Sequence, residues 1–327
     1  MKMEEVRKYI PVSAATAFSN ILPFIQSSEV NFIIPLLGND LYRQLLSYYT
    51  TPLSLPEGVT TENKNLFDIL IEYTQRPLIN LALYSGYDQM NATINDAGVH
   101  RTETETEKAL YKYQEDSLKS GFRNNGFNAL DVLLSFIEAN ITTFEKFKTS
   151  ANYTLRKTSI IPDANAFDLI FDISGSRLVY LKLARFIAQV EDFDISALLG
   201  APLFALVKTE IAKPSPDAKI TALIPYLRRA IAYLSVARAS FQLGMNVTDK
   251  GLFFESQAST LLNSNVQTQL TDQQYHVLAK NCQKTGEDYL ELLRGFLTAN
   301  KTDYPLYVSP GGSPFIRNNT DKTSTWV

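Results

Sequence analysis

The chain has 327 residues, of which 45% are hydrophobic and 20% charged, with a formal net charge of −3 at pH 7. That length suits two domains of ordinary size, and the composition is globular and not disordered. The charge, with no long basic run, argues against a surface that grips nucleic acid phosphates throughout, though not against a local contact; the single cysteine, Cys282, excludes an internal disulfide and reads as a small buried apolar residue.

The opening stretch, MKMEEVRKYIPV, holds no apolar segment long enough for a secretory signal, and no run of about 18 apolar residues predicts a transmembrane helix. Asn-x-Thr triplets at Asn91, Asn140, Asn152, Asn246, Asn300 and Asn318 therefore read as Asn- and Thr-rich composition, not glycan sites, and the protein is expected inside a cell or a particle.

Residues 23–49 contain Leu36-Leu37-Gly38, read as a corner where one helix ends on a left-handed glycine and the next starts at Asn39 or Asp40. A loop with Pro52 and Pro56 follows. Residues 65–87 carry apolar residues at spacings of three and four, the buried stripe of a helix that Pro77 should kink. ATINDAGVHR (92–101) has β-prone flanks around a turn signal and predicts a hairpin. An exposed amphipathic helix is predicted over 103–120 and a further helix over 128–147, the counterpart of a long helix over 271–300.

The same order then returns. Residues 185–211 match 23–49 without a gap at an offset of 162, with eight of 27 positions identical, among them Glu29/Glu191, Ile33/Ile195 and the Leu-Leu-Gly corner. Residues 223–236 match 70–83 at an offset of 153, sharing Arg76/Arg229, and VTDKGL (247–252) matches INDAGV (94–99) at the same offset. Residues 290–300 match 130–140 at an offset of 160. The offset changes between blocks, where loops absorb length differences at little cost. The chain therefore reads as a tandem duplication. The fold class is mainly α: two related helical-bundle domains, 1–152 and 153–304, each with a short β-hairpin, plus an extended C-terminal arm, 305–327. In the second copy, Pro202 suits a first helical turn and Thr271 caps a long helix over 271–300. The arm, rich in Pro, Gly and Asn, has no helical period and is expected to dock on this chain or a neighbour.

No P-loop, G-x-G-x-x-G or H-E-x-x-H motif occurs, and His100 and His276 are the only histidines. No catalytic residue, cofactor or metal is predicted. Glu191, Asp192 and Asp194 read as the charged first turn of a helix and not as a cation site. Arg76 and Arg229 read as partly buried arginines paired with a carboxylate, Asp96 and Asp249 being candidates, or with helix-end carbonyls, or else as interface contacts. Tyr48, Tyr49, Tyr111 and Tyr113 are candidates for an aromatic interface patch. Partner binding is assigned to the hairpin residues Asp96, Gly98, Asp249 and Gly251 and to Tyr307, Phe315 and Trp326 in the arm.

FIIPLLGNDLYRQLL and NATINDAGV, with DISALLGAPLFALV and NVTDKGLFF in the second copy, resemble the head-to-tail connector, or ring, proteins of tailed phages that infect Bacteroidetes, in the crAss-like group. The resemblance spans the helical scaffold of both copies and not the tail. It implies a non-enzymatic virion protein of the neck or tail region, made in the host cytoplasm and assembled as a ring. Copies of itself, the portal and other connector or tail proteins are the implied partners, with non-specific DNA passage through the channel and no membrane. A helical enzyme with a carboxylate-based site and a cytosolic scaffold are the alternatives left by the residues themselves.

Overall fold

The computed structural model describes residues 1–12, 17–51, 58–90, 92–95, 98–101, 110–213, 215–243, 245–248, 251–254 and 272–308. They fall in two compact units, one formed by Met1–Thr154 and the other by residues from Leu155 onward.

In the first unit, α1 (Met3–Tyr9) precedes α2 (Leu22–Ser28), which runs through a π-helical turn, Glu29–Ile33, into α3 (Ile34–Leu37). Gly38 turns the chain into α4 (Asn39–Thr50). Its φ of 79° and ψ of 155° lie outside the left-handed helical region expected there, in a region essentially reserved for glycine. A Cβ at Gly38 would also stand 2.8 Å from Ser150 Cβ. The corner is braced from downstream. Thr149 Oγ1 donates to Asp40 Oδ2 at 2.8 Å, and Asn152 Nδ2 donates to the Pro35 and Leu36 carbonyls at 3.0 and 3.1 Å, satisfying helix-end acceptors.

The long α5 (Lys64–Met90) runs through Pro77 without interruption. It leads into an antiparallel pair, β1 (Ala92–Asn95) and β2 (Gly98–Arg101), with Ile94 opposite Val99 and Asn95 opposite Gly98. The return helix, α6 (Lys112–Ala139), packs along α5. Two separate helices were expected across 103–120 and 128–147. Instead one helix covers 112–139, passing through Gly121 and Gly126, and a 3-10 turn follows at Glu145–Thr149. Gly126 is not a helix breaker here; it faces Leu81 of α5, where a Cβ would lie 2.7 Å from Leu81 Cγ. An aromatic chain ties the unit together: Tyr73–Phe136 at 5.0 Å, Phe136–Phe144 at 5.6 Å and Phe67–Phe144 at 5.3 Å between ring centroids.

After α7 (Ala151–Lys157), which crosses the boundary in the chain, the second unit adds α8 (Ala164–Asp168), capped by Asp163, whose carboxylate accepts from Ala166 N at 2.8 Å. The plan of the first unit then repeats. α9 (Arg177–Val190) continues through a π-helical turn, Glu191–Ile195, into α10 (Ser196–Leu199), and Gly200, at φ 77° and ψ 151°, turns the chain into α11 (Ala201–Ile211). The long α12 (Ala218–Leu243), the antiparallel pair β3 (Met245–Thr248) and β4 (Gly251–Phe254), and α13 (Asp272–Ala299) complete it. The two π-turns, a rare feature, stand 162 residues apart, at the same offset as the corner glycines. Both units are thus mainly helical and built on one plan.

The second core gathers α9, α11, α12 and α13 around residues such as Leu183, Phe186, Leu199, Leu227, Ile231 and Leu293. Over Ala218–Ser240, α12 is long and apolar enough to span a membrane, although no transmembrane helix was expected from the sequence. In the fold it is the central core helix of its unit, more than half buried within it. Cys282 is buried in the same core, and burial pushes its thiol up to about 11.

Tyr307, expected as an anchor in an extended arm, is also part of this core. It is 2% exposed, beside Tyr304 at 4%. The reason is the repeat. Asn140-x-Thr-x-Phe144-x-x-Phe147 reappears as Asn300-x-Thr-x-Tyr304-x-x-Tyr307 at the offset of 160, so Tyr304 and Tyr307 take the places of two buried phenylalanines. Tyr226–Phe296 at 5.3 Å and Phe296–Tyr304 at 6.0 Å reproduce the first unit's Tyr73–Phe136–Phe144 stack. The packed module therefore runs through Tyr307, past the residue where the arm was expected to begin. Residues 309–327, with Phe315 and Trp326, lie outside the described residues.

Candidate functional site

The antiparallel pairs β1–β2 and β3–β4 follow the long helices α5 and α12 in the chain, one pair in each unit. Gly98 and Gly251 open β2 and β4, opposite Asn95 and Thr248. The two-residue connections, 96–97 and 249–250, lie outside the described residues, and with them Asp96 and Asp249. Arg76 and Arg229, expected to be partly buried, are both exposed. The Arg229 guanidinium lies 5.7 Å from the Tyr289 ring centroid.

The four tyrosines expected as one patch separate. Tyr48 is buried and donates to Asp68 Oδ1 at 2.6 Å; burial, then that carboxylate, push its hydroxyl up to about 12. Tyr49 is half-buried and donates to Glu5 Oε2 at 2.6 Å. Tyr111 and Tyr113, at the start of α6, are exposed and stacked with centroids 6.0 Å apart.

Sequence reasoning missed a cleft of about 360 Å³ in the first unit, lined by α2, α4 and α5 and mostly apolar, with Ile25, Leu45, Leu46 and Leu78 on its walls. Its polar lining includes Glu29, Tyr42, Tyr49 and Gln75, with Gln26, Thr50 and Thr74, and Met1 also borders it. Gln75 Nε2 donates to Glu5 Oε1 at 2.8 Å. Burial raises the Glu5 carboxyl, but hydrogen bonds from Tyr49, Gln75 and the Lys2 amide outweigh it, and the net shift is downward. Tyr42 and Tyr49 are shifted well upward, first by burial and then by Glu29 and Glu5 respectively. An acid–base pair for neutral pH needs the opposite arrangement, with the carboxyl raised or the phenol lowered toward 7.

The corresponding region of the second unit is occupied. Glu191 is not in the first turn of a helix, as expected, but in the π-turn, 2% exposed. Its carboxylate accepts from Ser159 Oγ at 3.0 Å and Ile160 N at 2.6 Å and forms an ion pair with Lys208. Asp194 forms an ion pair with Arg238 at 2.6 Å. Glu191 and Asp194 are thus taken up by structural pairing, and Asp192 is exposed. Among the described residues no group of three or more His, Cys, Asp and Glu side chains is placed to hold a metal ion.

One family's sequence profile matches the chain twice, over residues 33–157 and again over residues 195–314; it is the family of unknown function DUF6712. The chain belongs to the DUF6712 family. The two DUF6712 matches begin 162 residues apart, at Ile33 and Ile195, the last residues of the two π-turns. The family's repeating unit and the structural module coincide there. No curated protein and no solved structure matches the chain.

Proposed function

We propose that this DUF6712 chain is a structural virion protein, a subunit of an oligomeric head-to-tail connector ring that joins portal and capsid to tail and lines the DNA channel. The reading rests on the sequence resemblance of both corner motifs and both hairpins to connector proteins. One structural observation carries it further: in each module a long helix is followed by a short antiparallel strand pair, so a single chain offers two related contact elements. A ring subunit meets two neighbours in its ring and further rings above and below. Duplicated helical modules supply the wall, and the hairpins with residues 309–327 supply contacts between copies and to portal or tail proteins.

The net charge of −3 suits a channel through which DNA slides without being held. Electron microscopy of the purified full chain tests the proposal. Closed rings of uniform size, with a central opening that admits duplex DNA, are expected. Particles that show no ring at any concentration refute it.

A further inference from the structure

The two modules treat one groove differently. In the second module the stretch Thr158–Pro162 passes through it, held mainly by its backbone. Tyr180 Oη donates to the Ile161 carbonyl at 2.6 Å, and Arg228 Nε donates to the Ile160 carbonyl at 3.0 Å. Glu191 accepts from Ser159 Oγ and from Ile160 N, and Lys208 Nζ donates to the Thr158 carbonyl. Ile160 and Ile161 are fully buried. At the repeat offsets, Tyr180, Glu191, Lys208 and Arg228 correspond to Phe18, Glu29, Leu46 and Gln75. All four of these line the open cleft of the first module.

We infer that this cleft is a receptor for an extended peptide segment, and that its occupant is Thr323–Val327 of a second copy of the chain. Thr323-Ser324-Thr325-Trp326-Val327 repeats the order of Thr158-Ser159-Ile160-Ile161-Pro162: two hydroxyl residues, a β-branched residue, then two apolar ones. Ser324 Oγ and the Thr325 amide donate to Glu29, as Ser159 and Ile160 donate to Glu191. The other positions have changed to suit a more apolar guest. Phe18 for Tyr180 and Leu46 for Lys208 replace a hydroxyl and an ammonium by hydrocarbon, against which the indole of Trp326 packs. Each chain carries one groove filled and one open among the described residues, and one further segment of matching sequence pattern. That is the stoichiometry of a head-to-tail contact, which closes into a ring when the rotation between copies allows. The exchange between copies rests on the ring reading; the fit of segment to cleft does not.

Trp326 is the only tryptophan. A peptide of residues 321–327, titrated into the full chain carrying Trp326→Ala, is therefore the sole source of indole fluorescence. Saturable binding with a blue-shifted emission is expected, weakened about tenfold or more by Leu46→Glu in the same chain, as for loss of an anchor contact. Leu46 is 42% exposed, so that variant should fold, and unchanged helical circular dichroism checks it. Glu29→Gln provides a second, nearly isosteric test and is expected to weaken binding in the same direction. No saturable binding, or binding indifferent to both substitutions, overturns the inference whether or not rings form. In the wild-type chain the Trp326 emission should shift to the red on dilution, together with the mass. A blue-shifted emission at every dilution from a monomer places the segment in its own chain and overturns the exchange. Rings that persist with Leu46→Glu also overturn the exchange, while leaving the ring reading intact.

Discussion

Gly126 on α6 faces Leu81 on α5, and 160 and 153 residues further on Gly286 on α13 faces Leu234 on α12 in the same way. A Cβ at Gly126 would stand 2.7 Å from Leu81 Cγ, and one at Gly286 would stand 2.5 Å from Leu234 Cγ. Each glycine lets a leucine of the opposite long helix approach the backbone. Two other helical glycines, Gly121 and Gly295, face open space.

This contrast makes a paired prediction. Gly126→Ala and Gly286→Ala should each destabilise the protein by about 1–3 kcal/mol through overpacking. Gly121→Ala and Gly295→Ala should stabilise it by about 0.5–1 kcal/mol, because alanine is the better helix former. Denaturant unfolding of the four variants separates the two outcomes.

Glu191 and Glu29 occupy equivalent positions with different surroundings. Glu191→Ala would leave Ser159 Oγ and the buried Ile160 amide without their acceptor and strip Lys208 of its ion-pair partner. A loss of about 3–5 kcal/mol is expected. Glu29 is only half-buried and bonds Tyr42 beside the open cleft. Its removal is expected to cost about 1 kcal/mol. Equal losses in thermal or denaturant unfolding would contradict the claim that only the second groove is filled.

Tyr307 Oη is buried with no hydrogen-bond partner among the described residues, whereas its counterpart in the first module is Phe147. Tyr307→Phe should therefore be neutral or stabilise the protein by about 1 kcal/mol, since it removes an unsatisfied buried hydroxyl. Tyr307→Ala should destabilise by about 3–5 kcal/mol. Melting temperatures of the two variants give the comparison.

Alkaline pH gives an independent check on Tyr48. Its hydroxyl is raised from 10.0 to about 12 in the folded chain, so between those values the unfolded chain loses a proton that the folded chain keeps. Unfolding is then favoured as pH rises, and the stability linked to Tyr48 is complete below pH 10.0 and falls above it. Tyr48→Phe should remove this part of the alkaline decline, read as a shallower drop in melting temperature between about pH 10 and 11.

Much of the architecture was legible in the sequence because packing imposes a period on it. The apolar stripes of α5 and α13, the corner glycines and the in-order repeat all leave residue patterns that read directly. The break expected between 120 and 128 does not occur, because Gly126 lies inside α6 against Leu81, a contact that the local sequence does not reveal. The π-turns escaped because a single extra residue in a turn leaves no periodic mark beyond the shared Glu29 and Glu191. Tyr307 was misplaced although a signal existed: the Phe-x-x-Phe of the first module continues as Tyr-x-x-Tyr at an unchanged offset. The cleft was invisible, since it arises from what fills one groove and leaves its twin open. That difference lies in Ser159 and Ile160, far in sequence from the walls they cover.

The mass of the full chain in solution, by native mass spectrometry or sedimentation velocity across a range of concentrations, tests the ring proposal most directly. The account predicts one discrete oligomer larger than a dimer that dissociates on dilution. A chain that stays monomeric up to the highest soluble concentration contradicts it.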